Sequence, residues 1–195
     1  MASSSRRVFF VMCALSLLHG CVGGQGEGAI EGVLYAEPCG LDRPNFRLEP
    51  EFFGASGMHG QLEIRLQRTS GYPNTRDAVS VTLLDVDEAF ARLGEPMIVG
   101  LDPHGDAQMS LLLYEECPVA TSGRDATVVL AAVEGEVIFE AIYSPELDRP
   151  DGKRIAGSFR DVRFEDPSQP EKAYAILSGH FDFLFNRGRP AQLFP

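Results

Sequence analysis

Hydrophobic and polar residues alternate with a period of two along most of this chain. Leu62, Ile64 and Leu66 are separated by polar residues, which is typical of a strand with one buried and one solvated face. The longest such run extends from residue 172 to 186, where the odd positions carry Ala, Leu, Gly and Phe and the even positions are mainly polar. The pattern therefore predicts β-strands rather than helices.

The last third of the chain predicts three consecutive strands. The runs Glu136 to Ser144 and Lys153 to Phe164 are separated by Pro-Asp-Gly at 150–152, a tripeptide that favours a tight turn. With the run from 172 to 186 they are expected to form an antiparallel meander. At Gly135 two alternatives stay open, a two-residue hairpin or a bulge inside one long strand.

The whole pattern predicts an all-β fold. Nine or ten short strands indicate an antiparallel β-sandwich spanning residues 29–195, in which a jelly-roll and an immunoglobulin-like strand order both stay open. At most one short helix is expected, near residues 87–93, with Asp87 as its N-cap and Gly94 at its end. Gly-x-Phe occurs at 157–159 and at 179–181, and each glycine is expected to make room for an aromatic ring on a neighbouring strand.

The N-terminal segment differs from the rest. Arg6 and Arg7 precede an apolar run from Val8 to Leu18, the charged and hydrophobic regions of an export signal. The run is about half of the roughly 20 residues that a transmembrane helix needs. Leu18 to Cys21 (Leu-His-Gly-Cys) resembles the lipobox of bacterial lipoprotein precursors. The resemblance implies cleavage before Cys21, whose sulfur would carry diacylglycerol.

This resemblance sets the expected location. Residues 1–20 would be a signal peptide, and the glycine-rich residues after Cys21, up to 28, a flexible tether. Val22 rather than Asp follows the lipidated position, which favours the outer membrane over the inner; the face of the membrane stays open. Ser-Arg-Arg-Val-Phe at 5–9 also resembles a twin-arginine export motif, and ordinary signal-peptide charge is the alternative.

Cysteine usage then predicts one disulfide bond. Cys13 would leave with the signal and Cys21 would carry lipid, which leaves Cys39 and Cys117 in an oxidising compartment. Closing a loop of about 77 residues would stabilise the domain by roughly 4 kcal/mol in the loop-entropy model.

The charge restricts the partners. The chain carries 17 basic and 28 acidic residues, and without residues 1–20 the balance becomes 15 to 28, a net charge of −13. Phosphate backbones would repel such a domain, so nucleic-acid binding is not expected. Membrane affinity would come from the lipid rather than from a basic patch.

The sequence contains few candidate chemical sites, and it predicts no cofactor and no catalytic residue. The three histidines of the domain stand apart, at His59, His104 and His180. The candidates for metal binding through oxygen ligands are Asp85, Asp87 and Glu88. The candidates for anion contact are Arg187 and Arg189.

Together these features predict a lipid-anchored envelope protein with a non-catalytic binding, assembly or structural role. Its expected partner is an envelope protein or a glycan. The alternative is a hydrolase or other enzyme whose site is assembled from distant loops.

Overall fold

The computed structural model describes residues 26–70, 75–101, 105–117, 127–143 and 153–185. Most of these residues are in strands. The ten strands are β1 Gly26–Ala36, β2 Leu41–Leu48, β3 Phe52–Met58, β4 Gln61–Gln67, β5 Ala78–Leu83, β6 Pro96–Ile98, β7 Ala107–Leu113, β8 Val128–Ala141, β9 Arg154–Glu165 and β10 Ala173–Leu184. A 3₁₀ turn covers Glu37–Cys39, and the α-helix is α1 Val86–Ala91. No helix in these ranges is long and apolar enough to cross a membrane.

All ten strands belong to one antiparallel sheet, curled into a half-barrel. Nine of them follow the order β2-β1-β10-β9-β8-β7-β5-β4-β3, and β6 pairs with β8 beside this path. The predicted antiparallel all-β class is confirmed. The predicted division into two packed sheets is not, because the strands form one continuous sheet that encloses its own core.

The predicted meander is confirmed as β8, β9 and β10, each paired antiparallel with the next. The alternation predicted for β10 is also confirmed, since Ala173, Leu177, Phe181 and Phe183 are buried on one face. At Gly135 the structure selects the bulge. β8 is one strand of 14 residues, and its register with β9 shifts beside this glycine.

The two Gly-x-Phe segments lie opposite each other on β9 and β10. Gly157 pairs with Phe181, and Gly179 pairs with Phe159. A Cβ atom added at Gly157 would lie 3.0 Å from Cζ of Phe181, and one at Gly179 would lie 2.7 Å from Cζ of Phe159. Each glycine therefore makes room for the ring of the other segment, as predicted.

The beginning of β1 corrects the predicted tether. The sequence predicts a tether that includes Gly26 and Gly28, but these residues pair with Phe183 and Phe181 of β10. A Cβ atom at Gly26 would lie 2.5 Å from Cβ of Phe183 and 2.9 Å from the ring of Phe53. These glycines provide space for aromatic side chains rather than flexibility. Residues 21–25 of the predicted tether, and the whole predicted signal peptide, lie outside the described residues.

The α-helix of the described ranges begins earlier than predicted. Its N-cap is Asp85, whose Oδ1 accepts the backbone N–H of Glu88 at 2.9 Å, and not Asp87, which lies in the first turn. The burial of Val86 and Ala89 against the core explains the shift, since these two side chains set the position of the helix. Gly94 follows the helix with a φ of +83°, a conformation that suits glycine.

The predicted disulfide bond between Cys39 and Cys117 is present, with the two Cα atoms 4.7 Å apart. It joins the 3₁₀ turn after β1 to the segment after β7. Beside it lies Asp77, whose side chain is fully buried. Its Oδ1 accepts the backbone N–H groups of Tyr114 at 2.7 Å and of Glu115 at 2.8 Å. We call this region the disulfide corner.

The correction at β1 can be tested with Gly26→Ala. Because a methyl group would overlap Phe183 and Phe53, we expect the free energy of unfolding to fall by about 1–3 kcal/mol, the usual cost of overpacking. The measurement is urea denaturation followed by circular dichroism. The matched control is Gly24→Ala, in the predicted tether, with an expected change below about 0.5 kcal/mol. Equal stabilities of the two variants would show that Gly26 belongs to the tether after all.

Candidate functional site

A line of irregularities crosses four neighbouring strands of the sheet. Gly32 of β1 pairs with Leu177 of β10, which pairs with Val162 of β9. Gly135 of β8 lies beside the same valine, since its Cβ would be 2.7 Å from Cγ2 of Val162. Gly32 and Gly135 have φ values of +153° and +142°, and Asp161, next to the valine, has a φ of +50°. We call this line the crease, because bulges bend a strand and increase its twist.

One side chain holds the crease at Asp161. The backbone N–H of Asp161 donates to Oγ of Ser178 at 2.9 Å, and this hydroxyl donates to Oδ1 of Asp161 at 3.3 Å. A non-glycine residue at positive φ costs free energy, and aspartate is among the residues that tolerate it best. The two hydrogen bonds therefore fix both the bulge and the orientation of its neighbours.

A groove of about 520 Å³ lies on the outer face beside the crease, across β1, β10, β9 and β8. We call it the outer groove. Its polar lining side chains are Glu31, Glu136, Ser158, Arg160, Ser178 and His180. A second depression of similar volume shares Glu136 and Arg160 with it and continues to Ile98 and Val133. The two form one trough with a polar part and an apolar part.

The register of the strands explains why these side chains meet. His180 of β10 pairs with Ser158 of β9, which pairs with Ile138 of β8. Arg160 pairs with Glu136 in the same way. Phe159, Val137 and Phe181, which adjoin these residues along their strands, are buried, so these residues share the outer face.

Arg160 is distinctive within this trough. The structure describes nine arginines, and the other eight make an ion pair or a hydrogen bond to a described residue. They are Arg43, Arg47, Arg65, Arg68, Arg76, Arg92, Arg154 and Arg163. Arg160 has no such partner in the described ranges, although Glu136 is its cross-strand neighbour. Its guanidinium group is thus available to a ligand.

The trough does not assemble a catalytic relay within the described ranges. His180 makes no hydrogen bond there to a serine or carboxylate, and the hydroxyl of Ser178 is used by Asp161. The groove is also open along its length, so a bound group would stay in contact with water.

Of the residues predicted as sites, Cys39 and Cys117 are joined by their disulfide bond, whereas the predicted metal ligands form no metal site in the described ranges. Asp85 is used as the helix N-cap, and Glu88 lies 3.6 Å from Arg92. In the ranges that the structure covers, no group of three His, Cys, Asp or Glu side chains could hold a metal ion, so Asp85, Asp87 and Glu88 receive no support as a metal site. The remaining predicted positions lie outside those ranges, namely Cys21, His104, Arg187 and Arg189.

Arg160 is not among the residues predicted as sites, but the sequence carries a signal for it. In β9 the large apolar residues that are buried stand at odd positions up to Phe159 and at even positions afterwards, at Val162 and Phe164. This change of parity marks a bulge at 160–161. A residue at a bulge is aimed differently from its neighbours, so the break in alternation indicates where a site could lie.

A smaller cavity of about 300 Å³ lies beside α1. Oδ1 of Asp106 accepts a hydrogen bond from Nη1 of Arg92 at 2.8 Å, and its Oδ2 accepts the backbone N–H of Ile98 at 2.8 Å. Burial raises the pKa of Asp106, but these two hydrogen bonds and the positive charge of Arg92 outweigh it and hold the pKa below its ordinary value. This ion pair fastens β6 to the helix.

Comparison of the chain with protein-family models, with curated proteins and with solved structures gives no match. The function is therefore inferred from the residues themselves.

The ion pair beside α1 makes stability depend on acidity. The unfolded chain binds a proton at Asp106 near pH 4, whereas the folded protein keeps this carboxylate ionised to a lower pH. We expect the free energy of unfolding to decrease as the pH falls below about 4 and through the lower folded pKa. In Asp106→Asn this decrease should be smaller, and in Asp42→Asn, an exposed control, it should match the wild type. Urea denaturation at several acidic pH values measures it, and equal slopes for Asp106→Asn and wild type would contradict the assignment.

Proposed function

We propose that this protein is a lipid-anchored protein of the bacterial cell envelope, held at the outer membrane, whose β-domain binds a partner through the outer groove. The role is non-catalytic. The observation that carries the binding role is Arg160, the arginine without a described partner, which lies where the polar and apolar parts of the trough meet.

The anchoring part of the proposal is supported by the sequence at Leu18 to Cys21. The first described strand begins at Gly26, so five residue steps separate it from Cys21. An extended chain advances at most about 3.6 Å per residue, so the domain would stay within roughly 18 Å of the anchored cysteine. A partner reached by the groove would therefore be close to the membrane surface.

The binding part is supported by the contrast between Arg160 and the other described arginines. Arg163, three residues along the same strand, donates to Glu165 and lies 5.7 Å from the ring centroid of Tyr174. An arginine fork is suited to planar anions, and an unpaired one beside a concave surface is a ready contact for a ligand. Arg163 is engaged by contacts within the folded domain, whereas Arg160 is not engaged by any described residue.

The anchoring is tested by labelling cells with radioactive palmitate. We expect label on the wild-type protein and none on Cys21→Ser, because the acyl chains would be attached through this cysteine. The control is Cys13→Ser, inside the predicted signal peptide, which should keep the label. Label that persists on Cys21→Ser would contradict the lipid anchor.

The binding role is tested by placing a photo-crosslinking amino acid at Ser158 in the living cell. We expect a specific adduct whose yield falls about tenfold in Arg160→Gln, since a charge-assisted hydrogen bond is lost. Arg163→Gln removes the same charge from the same strand and should leave the yield unchanged. A probe at Gln108, an exposed position of β7, should not give this adduct. Absence of an adduct at Ser158, or a yield indifferent to Arg160→Gln, would overturn the binding role.

A further inference from the structure

We propose that the trough binds the C-terminal end of an extended peptide, with the free carboxylate on Arg160 and an apolar last side chain against Ile98 and Val133. The inference rests on the proposed function, since it names the ligand class of the same groove.

Arg160 is placed to bind the carboxylate at the C-terminus of a peptide. Arg160 lines both depressions and is not engaged by any described residue. Its planar fork of donors matches a carboxylate with two parallel hydrogen bonds. A chain terminus supplies such a carboxylate without a long flexible side chain, so less conformational entropy is lost on binding.

The apolar part of the trough is placed to bind the last side chain of the peptide. Ile98 is 62% exposed and Val133 is 36% exposed, and both line the depression that Arg160 shares. Ile98 of β6 pairs with Glu136 of β8, and Glu136 pairs in turn with Arg160 of β9. Ile98 therefore lies two strands from Arg160. An apolar side chain next to the bound carboxylate would cover these two residues and remove their surface from water.

Two acidic residues of the trough are placed to select a basic side chain in the peptide. Glu136 lies beside Arg160, and Glu31 lies two strands away, a distance of about 10 Å at the usual strand spacing. An extended peptide advances about 3.3 Å per residue, so a residue two or three positions before the terminus would reach Glu31. The two carboxylates therefore favour a basic side chain at that position and disfavour an acidic one.

The same observations favour a peptide over a glycan. Phe159 is the aromatic residue of the outer groove, and it is only 4% exposed, so it offers no stacking platform for a sugar ring. The trough instead presents both signs of charge and an apolar area within a few strand spacings. This combination matches a chain terminus that carries a carboxylate, an apolar side chain and a basic side chain.

The test uses the full chain, purified in detergent, and two fluorescent peptides of sequence Ala-Ala-Lys-Gly-Leu, one with a free C-terminal acid and one with a C-terminal amide. Fluorescence anisotropy measures the affinities. We expect the acid to bind at least about tenfold more tightly than the amide. Arg160→Gln should abolish this preference, and Arg163→Gln should keep it. Circular dichroism checks that both variants are folded.

A second pair of measurements tests the apolar contact. Replacing the last leucine of the peptide by alanine should weaken binding to the wild type, and it should have less effect on Ile98→Ser, which already lacks the contact. Equal affinities for acid and amide, a preference that survives Arg160→Gln, or no binding of either peptide would each overturn the inference. Binding of an N-acetylglucosamine trimer that depends on Arg160 and excludes the peptide would overturn it in favour of a glycan.

Failure of this inference can be distinguished from failure of the proposed function. An adduct at Ser158 that depends on Arg160, together with no peptide binding, would leave the binding role standing and remove only this ligand class.

Discussion

The half-barrel depends on one buried carboxylate. Asp77 is inaccessible to water, and its charge is compensated by backbone N–H groups of Tyr114 and Glu115 and by Arg68, whose Nε lies 3.1 Å from Oδ2. Removing a carboxylate from water costs several kcal/mol, so this arrangement is stable only with all of these donors in place. The donors hold the turn directly before Cys117 and so position that cysteine for its disulfide bond with Cys39.

The disulfide corner also joins parts of the sheet that do not pair with each other. Arg68, which follows β4, donates to the backbone carbonyl of Arg47 in β2 at 3.4 Å and to Glu116 at 3.1 Å. The edge strands β2 and β3 are consecutive in the chain, separated only by residues 49–51. The curl of the sheet is thus fixed at its rim by covalent and ionic links, while Gly157 and Gly179 admit the Phe rings that fill its interior.

Most strands and their faces could be predicted from the sequence, because alternation directly reports which side chains are buried. The number of sheets could not be predicted. The alternation has the same period of two whether the buried face of a strand packs against a second sheet or against the far side of its own sheet. The composition predicts Gly26 in a tether because it cannot distinguish a glycine that makes the backbone flexible from one that leaves space for a neighbouring side chain. The sequence predicts Asp87 as the N-cap, but Asp85 is an equally good cap by residue type, and only the burial of Val86 decides between them. Arg160 looks like any exposed arginine until the partners of the others are known.

The position of β1 has a consequence for how the protein is made. Its inner neighbour is β10, with Gly26 opposite Phe183, so the first described strand is completed by the last. A chain that emerges from its N-terminus can form β1 with β2 at once, but this hairpin lacks its second partner until nearly all of the sequence has been synthesised. Pairing over such a separation is slow because the closure entropy of a long loop comes before the contacts that offset it. The topology therefore delays completion of the sheet until β10 has been synthesised, and until then β1 lacks the strand that covers its inner edge.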